Sequence, residues 1–187
     1  MTLYRGKYRV ESTRLRGFDY SGDGYYFVTI CLKDREYLFG QIINGKMYMN
    51  EYGLIVQQCW DDLPNHYPNL RLDEFVVMPN HIHGIMIIDN VGIVETGLKP
   101  VSTGGDGIVE TGLKPVSTTR NHGLFEFVRA LKTFSSRKIN EVRGTVGHPI
   151  WQTRFWDRII RDEQALHQIR IYIRNNPQAW KHDPLVI

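Results

Sequence analysis

Apolar residues follow two periods along this chain, and each predicts an element. A continuous aromatic and β-branched run at residues 25–32, YYFVTICL, follows the turn-like SGDG and predicts a buried, central strand. Residues 37–43 and Lys46–Met49 flank Asn44-Gly45, the pair that most favours a two-residue hairpin, so two short strands are expected there. Asn50 then offers a helix cap. Leu54, Ile55, Gln58, Cys59 and Asp62 recur at helical spacing until Pro64 closes the first helix. Residues 72–78 and His81–Ile88 read as strands separated only by Pro79-Asn80, which predicts an antiparallel pair. Residues 124–140 place Leu124, Val128, Leu131 and Phe134/Ser135 on one helical face and Arg129, Lys132 and Arg137 elsewhere, a basic amphipathic helix. Residues 151–160 alternate like a strand. Residues 162–176 read as a last helix, with acidic residues in its first turn and Pro177 at its end. The predicted order is β, ββ, α, ββ, α, β, α.

One segment breaks this pattern. GIVETGLKPVST stands at 92–103 and again, unchanged, at 107–118. Two copies are too few for a solenoid, and the unit is rich in Gly, Thr and Pro, so 90–120 is expected to be a mobile surface insertion within a single domain, 1–187. With 187 residues, 42% hydrophobic and 23% charged, the chain can bury a core, which excludes disorder as its dominant state. No run approaches the ~18–20 apolar residues of a membrane helix, and no apolar h-region follows the basic start, so a cytoplasmic protein with no membrane partner is expected. Cys31 and Cys59 each lie in an apolar run and read as buried thiols rather than a disulfide framework.

The net charge of +3 hides an asymmetry. Residues 25–90 carry four basic and eight acidic groups, whereas residues 120–161 carry nine and three. Gathered basic charge points to a polyanion such as nucleic acid, although a solvated Lys/Arg face accounts for the same charges.

Three groups of residues carry candidate chemistry. In a strand, positions two apart share a face, so His81 and His83 present two imidazoles side by side as a pair of metal ligands, with Ile82 opposite. Two hydrogen-bonded core histidines explain the same pattern, because two ligands do not complete a site. On the last helix, Tyr172 shares its face with Gln168, Asn175 and Asn176, while Leu166 and Ile173 lie on the core side. A phenol with its ordinary pKa near ~10 attacks only with help from a base or a metal-activated electrophile. A metal held by His81 and His83, with Asn176 or Gln168 as an oxygen ligand, would give that help; a packed tyrosine needs none of it. In WQTRFWDRIIR, alternation sends Arg154, Trp156, Arg158 and Ile160 to one face. Arginines pairing with phosphates while Trp156 stacks on an unpaired base is single-strand-binding chemistry. Arg5, Lys7, Arg9, Arg14 and Arg16 read as a DNA-tracking arm or a solvated tail.

Taken together, RLRGFDYSGDGYYFVTICLKDREYLFG at 14–40, MPNHIHGIMII at 78–88, WQTRFWDRIIR at 151–161 and YIRNNP at 172–177 resemble the REP-associated tyrosine transposases. These are single-tyrosine transposases of the HUH nuclease superfamily. The resemblance covers nearly the whole chain outside the repeats. It implies an α+β fold, a ferredoxin-like or RRM-like antiparallel sheet with helices packed on one face. It implies Tyr172 as nucleophile, His81, His83 and Asn176 as metal site with Mg²⁺ or Mn²⁺, and Arg14, Arg16, Lys132, Arg154, Trp156 and Arg158 as DNA contacts. The implied reaction cleaves and rejoins single-stranded or REP-like hairpin DNA through a 5′-phosphotyrosine, in a monomer or homodimer. Two other classes compete with it. A catalytically silent DNA-binding module needs none of His81, His83 and Tyr172, and a small metal-dependent nucleotide hydrolase would make Tyr172 dispensable.

Overall fold

The computed structural model describes residues 14, 15, 17–90, 122–183 and 185. It also gives the backbone of a short antiparallel hairpin, β1 (Leu3–Tyr4) and β2 (Lys7–Tyr8). The repeats, with the rest of 91–120, and Arg5, Arg9 and Arg16 lie outside the described residues.

The aromatic run forms β3 (Gly24–Cys31), followed by a hairpin of β4 (Gly40–Ile43) and β5 (Lys46–Met49). The turn between them is Asn44-Gly45, both with positive φ (51° and 73°), the twist that a tight hairpin demands. The first hairpin strand is shorter than the expected 37–43, because residues 33–35 form a 3₁₀ turn and the chain pairs only from Gly40. Asn50 caps α1 (Glu51–Asp61), accepting from the Tyr52 and Gly53 amides, and α2 (Leu63–His66) adds one turn with Pro64 at its start.

Next come β6 (Leu70–Val77) and β7 (His81–Ile88), joined by the tight Pro79-Asn80 reversal. The basic helix is α3 (Leu124–Arg143), one turn longer than expected, ending on Gly144 in the left-handed region. The last elements are β8 (Trp156–Ile160) and α4 (Glu163–Ala179). The expected ten-residue strand at 151–160 is half that length. Trp151 makes a single bridge to Leu32, and the carbonyls of Gln152, Thr153 and Arg154 turn instead toward the Lys132 ammonium. The last helix runs through Pro177, because a proline in the final turn gives up only one hydrogen bond.

Four strands form one antiparallel sheet in the order β6-β7-β3-β8, so the α+β class holds and both β3 and β7 are central. Alternation divides their side chains between two cores. Val28, Ile30, Ile82 and Met86 face α1 and α3, which supply Val56, Trp60, Phe127 and Leu131. Position 84 points to this face and is glycine because any Cβ there would run into the Trp60 ring. The other face carries Phe27, Ile85, Ile87 and Ile160, covered by Leu166, Ile169 and Ile173 of α4. Helices on one face therefore describes α1 and α3, and α4 is the exception: the tyrosine helix lies across the opposite face. Each large aliphatic group it buries there contributes about 1.5–3 kcal/mol. Both cysteines are buried free thiols, with burial pushing Cys31 up to about 11. No helix among the described residues is long and apolar enough to cross a membrane.

Candidate active site

Strand β7 aims His81 and His83 at the face that α4 covers, and both are almost fully buried. Their ring nitrogens are held from behind. Asn80 donates through Nδ2 to the Leu185 carbonyl, so its Oδ1 accepts from His81 Nδ1 at 2.7 Å and leaves His81 Nε2 without a proton. Thr29, directly opposite His83 on β3, bonds His83 Nδ1 through Oγ1 at 2.8 Å. The two Nε2 atoms converge to 3.0 Å. Rings buttress both imidazoles, Trp180 stacked on His81 and Phe27 on His83.

Two segments of the C-terminal region complete the cluster. Tyr172 on α4 places its hydroxyl 3.2 Å from His83 Nε2. After α4, a 3₁₀ turn at Trp180–His182 reverses the chain and returns Asp183, whose Oδ2 lies 3.7 Å from His81 Nε2. His81, His83 and Asp183 offer ligand atoms within 4.8 Å of one another. Asn176, one turn beyond Tyr172, is buried as well. Its Oδ1 and the Asp183 Oδ2 are buried oxygens with no hydrogen-bond partner. An orphaned oxygen costs free energy unless something pairs with it, and for the Asp183 carboxylate, grouped with two imidazole nitrogens, a fitting partner is a cation. Residues and donor chemistry thus fit a divalent metal, in a mixed nitrogen and oxygen set.

Electrostatics favour the same use. Burial pulls His81 down to about 4, against the opposing charge of Asp183, and burial followed by the proximity of His81 holds His83 well below the ordinary imidazole range. Both rings are therefore neutral at pH 7, the form that binds metal. Burial, and then the Asp183 charge, raise the Tyr172 phenol, while a contact with the Asn176 amide opposes them. The phenol is protonated at rest and attacks only where an electrophile is activated beside it.

The structure brings His81, His83 and Tyr172 together, sets Asn176 against the Tyr172 phenol, and places Gln168 in the wall of a neighbouring cavity. The positions named as DNA contacts divide. Trp156, Arg158 and Arg154 are exposed, the first two on the Tyr172 side of the sheet. Lys132 donates to the three carbonyls at 152–154, and burial lowers it to about 8. Arg14 lies over the Phe125 and Phe155 rings and pairs with Asp157 at 3.4 Å. Four contributors escaped the sequence reading. Thr29 and Asn80 are polar residues in or beside apolar strands, a signal that was present. Trp180 and Asp183 follow the last helix, and no spacing connects them to β7.

No protein-family model matches the sequence. An uncharacterized protein of Haemophilus influenzae is 39% identical over 187 residues, covering 97% of this chain and 96% of the relative. A second protein of that organism, named as a REP-associated tyrosine transposase, is 27% identical over 164 residues, covering 85% of this chain and 73% of its own. Among solved structures, a REP-associated tyrosine transposase bound to a REP hairpin matches with a TM-score of 0.53 at 19% identity. That match covers 94% of this chain and 76% of the other.

Proposed function

We propose that this chain, 27% identical to a protein named as a REP-associated tyrosine transposase and sharing the fold of another, is a transposase of that kind: a metal-dependent nuclease and strand transferase acting on single-stranded or hairpin DNA, with Tyr172 as nucleophile. One observation carries this reading: the Tyr172 hydroxyl lies 3.2 Å from His83 Nε2, at the edge of a buried cluster of two imidazoles and an unpartnered Asp183 oxygen that suits a cation. A core tyrosine or a pair of structural histidines explains neither the convergence nor the unpartnered oxygen. His81, His83 and Asp183 would hold the metal, with Asn176 as a further, neutral oxygen donor. When bound, the metal neutralises charge on the scissile phosphate and on the departing oxygen. Imidazole together with carboxylate suits Mn²⁺ better than Mg²⁺.

The chain's own groups account for the remaining steps. Tyr172 Oη attacks phosphorus and the bond from phosphorus to O3′ breaks, giving a 5′-phosphotyrosine and a free 3′-hydroxyl. One proton leaves the phenol and one joins the 3′-oxygen, so nothing is consumed. Another 3′-hydroxyl can reverse the step and rejoin strands. Asn80 and Thr29 fix the imidazoles, and α4 holds the phenol against them. Arg154 and Arg158 contact phosphates on the exposed side, and the known relative bound to a REP hairpin supports a hairpin as the DNA form.

The test is to incubate the protein with end-labelled hairpin DNA carrying a single-stranded flank and Mn²⁺ or Mg²⁺, beside Tyr172→Phe, and to run a denaturing protein gel. A covalent band that vanishes in the variant is expected. Binding without a band would leave only a DNA-binding module. Cleavage that persists in Tyr172→Phe without an adduct would identify a hydrolase.

A further inference from the structure

A cavity of about 540 Å³ opens beside the nucleophile, between the edge strand β8 and α4, and its walls include Phe27, Trp156, Arg158, Gln168 and Tyr172. That volume falls within the ~300–1,000 Å³ of small-ligand sites. The register explains the lining. Trp156 pairs with Thr29 and Arg158 with Phe27, so these side chains stand on the face that carries His83. Gln168 precedes Tyr172 by one helical turn and shares its side of α4.

These residues are also uncommitted. Trp156 is 46% exposed, an unusual cost for an indole on a sheet whose other rings are packed. Arg14, Arg170 and Arg174 bind carboxylates and Lys132 binds carbonyls, yet Arg158 and Gln168 have no hydrogen-bond or ion-pair partner among the described residues. A flat aromatic face, an amide with paired donor and acceptor, and a free guanidinium lining one cavity match a planar heterocycle with a hydrogen-bonding edge, tethered to a phosphate.

We propose that this cavity binds the base of a nucleotide bonded to the scissile phosphate, with Trp156 stacking on it, Gln168 reading its edge and Arg158 holding the adjoining phosphate. The pocket rests on the nuclease reading above and adds to it a source of sequence preference at the cut. Because Tyr172 forms part of the wall, a base seated there brings its own phosphodiester to the phenol. Position and selectivity come from the same contact.

The experiment measures the rate of covalent adduct formation on a hairpin oligonucleotide with a single-stranded flank and Mn²⁺. Single abasic sites are placed in turn at each nucleotide around the cut. Wild type is expected to slow about tenfold at one flanking nucleotide, the order of one lost base–aromatic stack. Trp156→Ala should be as slow on intact DNA and indifferent to that abasic site, while Trp156→Phe recovers most of the rate. Gln168→Ala should flatten the preference among the four bases at that position. Adduct formation insensitive to abasic sites on both flanks would overturn the pocket and leave the nuclease standing, and this arm needs no variant to fold. Losses from Trp156→Ala and the abasic site that multiply would overturn it as well. No adduct on any DNA would instead overturn the nuclease, and the pocket with it.

Discussion

Asp183 and Asn176 pose the question of which oxygen holds the cation, and burial gives different weight to the two. An amide oxygen left unpaired inside a protein costs the desolvation of one dipole, whereas an unpaired carboxylate oxygen costs more and gains more from a dication. Asp183→Asn is therefore expected to weaken Mn²⁺ binding, measured by calorimetry without DNA, more than Asn176→Ala does; the reverse order would make the amide the principal oxygen ligand. Thr29 acts from behind. Its hydroxyl sets the orientation of His83 through Nδ1, and outer partners of this kind are typically worth ~10–100-fold in metal affinity. Thr29→Val keeps the shape and removes the bond, so Mn²⁺ affinity should fall within that range while thermal stability changes little.

At the scale of elements, the tyrosine helix is clasped to the sheet edge by a feature built into β6. Between Leu72 and Phe75 the register with β7 slips, so that Asp73 and Glu74 together oppose one residue. Consecutive strand residues ordinarily point to opposite faces; the bulge lets both carboxylates meet α4, where Arg170 and Arg174 stand one turn apart. Arg170 grips Asp73 through Nε at 3.0 and 3.1 Å and through a second nitrogen, and Arg174 pairs with Glu74. Burial tends to raise the Asp73 carboxyl, but the Arg170 bond and the Glu74 amide outweigh it, and the net direction is downward. A depressed carboxylate stabilises the fold above its unfolded value near ~4, and that contribution is lost as pH falls through the folded value. Arg170→Ala should thus cost about 1 kcal/mol in urea unfolding at pH 7, and the difference from wild type should shrink on acidification below the carboxylate range. It should also slow adduct formation with hairpin affinity unchanged, and the exchange Asp73→Arg with Arg170→Asp should recover part of the rate. This clasp was not legible in the sequence, because LRLDEFVV shows no sign of the register slip. The Asn-Gly hairpin, the His-x-His strand and the amphipathic helices were legible, since local turn chemistry and periodicity determine them. The split of helices between two faces was not, because both faces of β3 and β7 are apolar. Asp183 was hidden for another reason: only the turn after α4 brings it back to β7.

For the whole molecule, the decisive consequence is that histidines and tyrosine meet within one chain. A helix that carries a nucleophile can pack on its own sheet or be exchanged with a partner's, and sequence alone does not separate the two. Here α4 covers its own sheet through Leu166, Ile169 and Ile173, and the Asp73–Arg170 and Glu74–Arg174 pairs reinforce the same attachment. Exchange would re-form the same apolar contacts and both pairs on a partner's sheet, so it gains no contact and costs the entropy of association; assembly within one chain is therefore the expected arrangement. Mixing variants distinguishes the alternatives. His83→Ala lacks the metal site and Tyr172→Phe lacks the nucleophile, so each alone should form no adduct. If helices were exchanged between chains, a mixture would contain composite sites pairing the intact histidines of one chain with the intact tyrosine of the other, and a covalent band would return. The expected result is that it does not return when the two proteins are unfolded and refolded together, while wild type carried through the same cycle recovers its adduct.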